Sequence, residues 1–236
     1  MMKLIDRFLD GITMYRLVLY YLIVLLVVAA LFGQFGRLGY QPVAIVLSAL
    51  YLVAVCVVSN AVFARILNAP ANVESAYITA LILALIIAPV SSLHNALFLT
   101  AAGGLAVASK FVLAVRNKHL FNPAAIAVLL TSLGAGQTAT WWIGNVALLP
   151  FVIAGGLLVV RKIRRFQMVL TFFVVTFLST IISSQLTGHH VSGSLQQLLL
   201  HSSLFFLGFV MLTEPLTTPP TAKKRTWYAA LVGASC

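Results

Sequence analysis

The stretch Leu17–Gly33 reads LVLYYLIVLLVVAALFG, and no charged residue stands between Arg16 and Arg37. A bilayer core about 30 Å thick takes roughly 20 apolar residues of helix. Lipid offers the backbone no hydrogen-bond partners, so a run of this kind reads as a helix that closes its own bonds while crossing a membrane. Working outward, the same texture recurs along the chain. Of 236 residues, 61% are hydrophobic and 8% charged, with a mean hydropathy of +1.06. A soluble domain carries about 25% charged residues to solvate its surface, and one globular core could not hide all of these runs. The fold class read from the sequence is therefore an all-α, polytopic integral membrane protein.

Turn and charge signals between the runs predict spans over Leu17–Gly33, Val43–Ile66, Val73–Pro89, Ala96–Val115, Pro123–Leu133, Trp141–Val160, Met168–Leu186 and Leu195–Leu212. A last apolar stretch, Trp227–Cys236, is too short to cross, so the expectation is eight complete transmembrane helices and a truncated ninth. Residues 1–16 (MMKLIDRFLDGITMYR) carry acids and no small-residue cleavage site. They read as a cytoplasmic amphipathic lead-in rather than a cleaved signal peptide, with residues 17–236 as the transmembrane domain.

Charge tests this layout. With the N-terminus in the cytoplasm, alternation of the spans brings Lys3, Arg7, Arg16, Arg65, Lys110, Arg116, Lys118, Arg161, Lys162, Arg164, Arg165, Lys223, Lys224 and Arg225 to one side; of fifteen basic residues only Arg37 falls on the other. That is the cytoplasmic excess of Lys and Arg expected of a multi-pass protein, here of a bacterial-type inner (plasma) membrane. The net charge of +11 is thereby accounted for without nucleic acid as a partner. Cys56 and Cys236 form no CxxC pair, so neither a disulfide framework nor a metal site is expected.

Chemistry must come from few groups. Asp6 and Asp10 belong to the lead-in, Glu74 begins the third span, and Glu214 ends the eighth. Asn72 and Glu74 suit the start of a helix, as cap and as charge facing the positive end of the dipole. Around Glu214 the sequence runs Thr213-Glu214-Pro215-Leu216-Thr217-Thr218-Pro219-Pro220-Thr221. Three prolines there end the helix and force irregular backbone, which at membrane depth is tolerated only when buried in protein or lining a polar cavity. A second irregular segment is His119-Leu120-Phe121-Asn122-Pro123-Ala124-Ala125, where Asn122 and Pro123 open a short helix. Short, proline-bounded helices of this kind surround midplane sites in transporters. His94, His189 and His190 fall in outside loops, and His201 has no His, Cys or carboxylate four residues away. Gly103-Gly104 and Gly155-Gly156 read as close helix contacts; no nucleotide-binding, P-loop or hydrolase motif is present.

Taken in order, Asn72-Val-Glu-Ser, Thr79-Ala-Leu, Ala88-Pro89, the helix ending Ser109-Lys110, Phe121-Asn-Pro-Ala and Thr213-Glu214-Pro215-Leu216-Thr217-Thr218 resemble the NqrB/RnfD family. These are membrane subunits of the sodium-translocating NADH:quinone reductase and of the Rnf electron-transport complex. The resemblance covers roughly Leu50 to Gly233, with Glu214 where the family carries Asp. It implies two five-helix repeats in inverted arrangement, similar to urea-channel-like folds, and flavin-dependent electron transfer. Many members esterify FMN to the last Thr of an Asp-Gly-x-Ser/Thr-Gly-Ala-Thr segment. The same place here reads Gly134-Ala135-Gly136-Gln137-Thr138-Ala139-Thr140, with Thr140 at the acceptor position but without the Asp and the central Gly.

The chain is most similar to a variant whose helical part is followed by a soluble, ferredoxin-reductase-like FAD/NAD(P)H module. That likeness implies a membrane half without nicotinamide chemistry of its own, holding FMN or riboflavin non-covalently. Implied partners are the bilayer, a reductase domain or subunit, and quinone. The implied site residues are Asn122, Pro123, Thr213, Glu214, Thr217, Thr218, Asn72, Glu74 and Thr140. Two other readings fit the same architecture: a channel or carrier for a small solute or ion, and a membrane anchor for a reductase.

Overall fold

Helix starts follow capping signals written in the sequence. The computed structural model describes residue 7, residues 9–115 and residues 118–236; Lys3, Asp6 and Arg116, invoked above, lie outside the described residues. Helix α1 (Met14–Gln34) begins where the Thr13 hydroxyl accepts the Arg16 N–H, and α2 (Pro42–Ile66) opens on a proline. Asn72 caps α3 (Val73–Ile86), Ser92 caps α4 (Leu93–Val112), and Asn122 caps α5 (Pro123–Ala135). Between α4 and α5 a small antiparallel hairpin pairs β1 (Ala114–Val115) with β2 (Lys118–His119). Then come α6 (Leu149–Ile163), α7 (Phe166–Thr187) and α8 (Val191–Leu200). Helix α9 starts at Leu204–Phe206 and continues as a π-helical turn, Leu207–Met211; α10 (Ala222–Ala234) is capped by Thr221.

Among the described residues, α1, α2, α4 and α7 are long and apolar enough to cross a membrane. The pair α8 and α9, bent by 59°, makes a fifth if it is one span. Helices α3 and α5 are apolar but shorter, so four or five full-length spans stand where the runs alone predict eight. The differences have local causes. The predicted span Trp141–Val160 becomes helical only at Leu149: Trp141 takes a left-handed backbone (φ 51°), and its N–H donates to the Ile86 carbonyl at 2.8 Å. The Ile143 N–H likewise donates to Leu85 at 3.2 Å. These bonds to another helix replace the ones an extra helical turn would make. The predicted span Leu195–Leu212 breaks at 201–203, where the Ser202 hydroxyl donates to the Leu198 carbonyl and accepts the Leu204 N–H. Helix α3 stops at Ile86 instead of Pro89, with Ile87 already extended (ψ 140°) ahead of the proline.

The chain divides into two units, Met1–Ile143 and Gly144–Cys236. In the first, α3 is the central element, packed by α1, α2 and α4. Ser75, Ala76 and every residue from Thr79 to Ile86 are buried. Helices α2 and α4 approach closely at Gly103, where an added Cβ would lie 2.9 Å from Val55. Val24, Val27, Leu31, Val46, Leu47 and Leu50 on α1 and α2 remain exposed, a patch suited to lipid and costly in water.

In the second unit α7 and α10 run parallel. Met168 and Phe172 of α7 share a core with Ala229 of α10. Farther along, a Cβ at Gly233 would come 2.8 Å from the Phe172 carbonyl oxygen, and the Ser179 hydroxyl reaches the Gly233 carbonyl at 3.3 Å. Later residues of one helix meet later residues of the other, so both helices begin at the same end. Phe209 of α9 packs on Gly156 of α6 and edge-on to Phe173 of α7, with centroids 5.3 Å apart.

Candidate functional site

In the first unit polar side chains gather at the N-terminal turn of α3. The Asn72 Oδ1 accepts the Ser75 N–H at 3.0 Å, one of the donors a helix start leaves unmet. Glu74 pairs with the Arg16 Nε at 3.3 Å; both side chains are largely exposed, so the pair contributes little energy. Lys110, in the last turn of α4, is buried at 8% exposure. Its ammonium donates to the Ser75 carbonyl at 2.7 Å and to the Ser75 hydroxyl at 2.9 Å. His119 of the hairpin lies in the field of Lys110, and its Nδ1 is buried without a hydrogen-bond partner among the described residues. Burial first, and the Lys110 charge second, hold the His119 pKa below its ordinary value. A buried cation and a serine thus meet beside the start of α3, with the His119 imidazole in the field of that cation.

The opposite end of α3 is closed by residues 140–143. The Trp142 indole N–H is within 3.0 Å of the Ala84 and Ile87 carbonyls, and the Thr140 hydroxyl donates to Ile86 at 3.4 Å. Thr140 therefore stands about 20 Å, the length of a helix of this size, from Asn72 and Glu74. Asn122 and Pro123 begin α5, where Asn122 Oδ1 accepts the Ala124 and Ala125 N–H groups at 3.0 and 3.2 Å.

In the second unit the structure does bring predicted residues together. Thr213 and Thr218 are buried, at 0% and 2% exposure, and Glu214 is half-buried. The Glu214 carbonyl accepts the N–H groups of Thr217 and Thr218 and the Thr217 hydroxyl, folding the loop into a compact turn. Arg165, the residue before α7, clamps it: its guanidinium donates to the Thr213 carbonyl at 3.3 Å and to the Thr218 hydroxyl. Burial, then the nearby Arg225, lower the Arg165 pKa from its ordinary value.

Lys110, Ser75, His119 and Arg165 are the polar residues that the sequence reading did not single out as site residues. It counted Lys110 and Arg165 as topology charges, and it quoted His119 and Ser75 without a role. The signal was present for Lys110, a lysine two residues before the end of an apolar helix, where an interface charge would sit farther out. For Arg165 no local signal existed, because its partners lie 48 and 53 residues away.

No curated protein matches the chain. Residues 130–236, which include all of the second unit, match the family model described as NQR2, RnfD, RnfE family. The multi-pass helices require a bilayer, and this family's members work within larger electron-transport or ion-translocating complexes. Over those residues, somewhat less than half of its length, the chain is similar to the NQR2, RnfD, RnfE family.

Proposed function

We propose that the chain is the membrane module of a flavin-dependent electron-transfer oxidoreductase, receiving electrons from a cytoplasmic FAD/NAD(P)H reductase domain or subunit. Its setting is an inner (plasma) membrane, with the N-terminus cytoplasmic, quinone as an acceptor, and an inverted-repeat architecture. The observation that carries the reading is the family match over residues 130–236 together with the Arg165-clamped Thr213–Thr218 loop inside it.

That loop fits a flavin by the chemistry of its groups. The polar edge of an isoalloxazine alternates carbonyl acceptors with an N–H donor, and Arg165, clamped on the loop, and Glu214, within it, supply a donor and an acceptor. A bound flavin would supply reversible electron transfer. The protein's own part is to orient the ring, keep water out behind buried Thr213 and Thr218, and hold a positive guanidinium beside it. Within the first unit, Asn72, Glu74, Asn122 and Pro123 are proposed as a separate cofactor-binding group. Thr140 is proposed only as the attachment point if the flavin is covalent.

The test is a visible spectrum of detergent-purified protein before and after acid precipitation. Flavin bands released to the supernatant, and lost in Arg165→Gln or Glu214→Gln, support the reading. Colour that stays in the pellet moves the site to Thr140. Protein that remains colourless after incubation with FMN and riboflavin overturns it. A carrier is the second reading, favoured by the short buried helix α3 with its polar N-terminal end; solute flux in liposomes without reductant would establish it.

A further inference from the structure

Every Lys and Arg of the second unit gathers at one end. Arg161, Lys162, Arg164 and Arg165 form the corner between α6 and α7, and Lys223, Lys224 and Arg225 form the first turn of α10. Because α7 and α10 run parallel, the two clusters, far apart in sequence, lie side by side. The Arg165 clamp on Thr213 and Thr218 ties the corner to the loop that leads into α10, and Arg225 is near enough to act on Arg165 electrostatically. Against these seven cations the unit holds one carboxylate, Glu214.

The placement is unfavourable as it stands. A helix N-terminus carries about half a positive charge and favours acids, yet the first turn of α10 holds three cations and no acid. Helix α7 starts beside it on Arg165, with no side-chain cap. A cytoplasmic excess of basic residues explains their number. Arg161, Lys162 and Arg164 close α6, where cations are favoured; the excess does not explain why a second cluster sits beside them on the positive end of α10. An anion resolves the conflict.

Which anion follows from the surroundings. The apolar span α7 begins at Phe166, directly after Arg165. Phe166 and Trp227 are exposed at 51% and 65%, next to the basic residues. Exposed aromatic rings at the edge of a span sit at the headgroup level, and clusters of Lys and Arg at that level attract anionic lipid.

We propose that this end of the second unit binds the phosphate headgroups of anionic phospholipids through Arg164, Lys223, Lys224 and Arg225, with Trp227 seated at the acyl boundary. The site is separate from the flavin reading and does not depend on it.

The experiment is native mass spectrometry of the full chain released from detergent after incubation with phosphatidylglycerol or phosphatidylcholine. The wild-type chain retains phosphatidylglycerol in preference, by roughly fivefold for each engaged basic residue. Combining Arg164→Gln, Lys223→Gln and Lys224→Gln abolishes the preference, while Arg37→Gln leaves it intact. A thermal melt in detergent checks that the triple variant is folded. Equal retention of both lipids by the wild type, or a folded triple variant that keeps the preference, overturns the proposal. So does salt-sensitive binding of an acidic polypeptide without lipid preference, which would make the patch a protein-docking surface.

Discussion

The Lys110 ammonium lies 2.7 Å from the Ser75 carbonyl oxygen and 2.9 Å from the Ser75 hydroxyl, buried between the end of α4 and the start of α3. The same carbonyl also accepts the Thr79 hydroxyl at 2.9 Å. Two helices that are distinct in sequence are thus pinned at one level by a single charged donor.

Removing that donor is expected to be costly. Hydrogen bonds to charged groups contribute about 1.5–3 kcal/mol each, so Lys110→Met should lower the melting temperature in detergent by several degrees. Ser75→Ala removes one acceptor and leaves the carbonyl, and should cost about half as much. Lys110→Arg should not restore stability, because a planar guanidinium cannot occupy a space shaped for a compact ammonium. A Lys110→Met melt equal to wild type would show that the pin contributes nothing.

Trp142 is expected to matter through its N–H more than through its ring. Trp142→Phe keeps the apolar face but leaves the Ala84 and Ile87 carbonyls without the indole donor. A loss of about 1–2 kcal/mol is expected. Faster hydrogen exchange over 140–143 and the last turn of α3 should accompany it, with other helices unchanged.

Two glycines should respond in opposite directions. A Cβ at Gly144 would lie 2.6 Å from the Ser202 carbonyl carbon and 2.7 Å from the Ser203 nitrogen, both backbone atoms that cannot swing aside. Gly144→Ala should therefore destabilise by about 1–3 kcal/mol. Gly104, inside α4, has open space around the same position, and Gly104→Ala should gain up to about 1 kcal/mol from helix propensity. Thermal melts of the two variants against wild type check both signs.

His119 should give the first unit a pH dependence on the acid side. Its folded pKa is held below the ordinary value of about 6.5 by burial and by Lys110. The unfolded chain then takes up the proton first as pH falls. Stability is full above about pH 6.5 and declines as pH drops toward the folded pKa. His119→Gln should flatten that decline, seen in melts between about pH 5.5 and pH 7.5, about one unit to either side of the unperturbed value. A wild-type melt that does not change across this range would refute the assignment.

Much of the helix layout was legible. Asn72 and Asn122 cap helices where the sequence reading put them, because a cap needs only residues three or four apart; the caps Thr13, Ser92 and Thr221 were not read. The Thr213–Thr218 segment was legible as an irregular, buried loop, because prolines act locally. Its clamp was not, since Arg165 reaches it across the fold. Trp141–Leu148 looked like the start of a span because apolarity says that a segment leaves water, not which hydrogen bonds it will make.

The sequence by itself determined that the chain lives in a bilayer, where α3 and α5 begin, and where proline breaks the helices, since hydropathy, capping and proline geometry act over a few residues. Only the tertiary structure decided that α3 is a half-length helix closed at its far end by Trp142, that Lys110 is buried against Ser75, and that two basic clusters share one end of a unit. Those outcomes depend on which backbone carbonyls and charges come within about 3 Å of each other, and that proximity is set by packing between segments far apart in the chain.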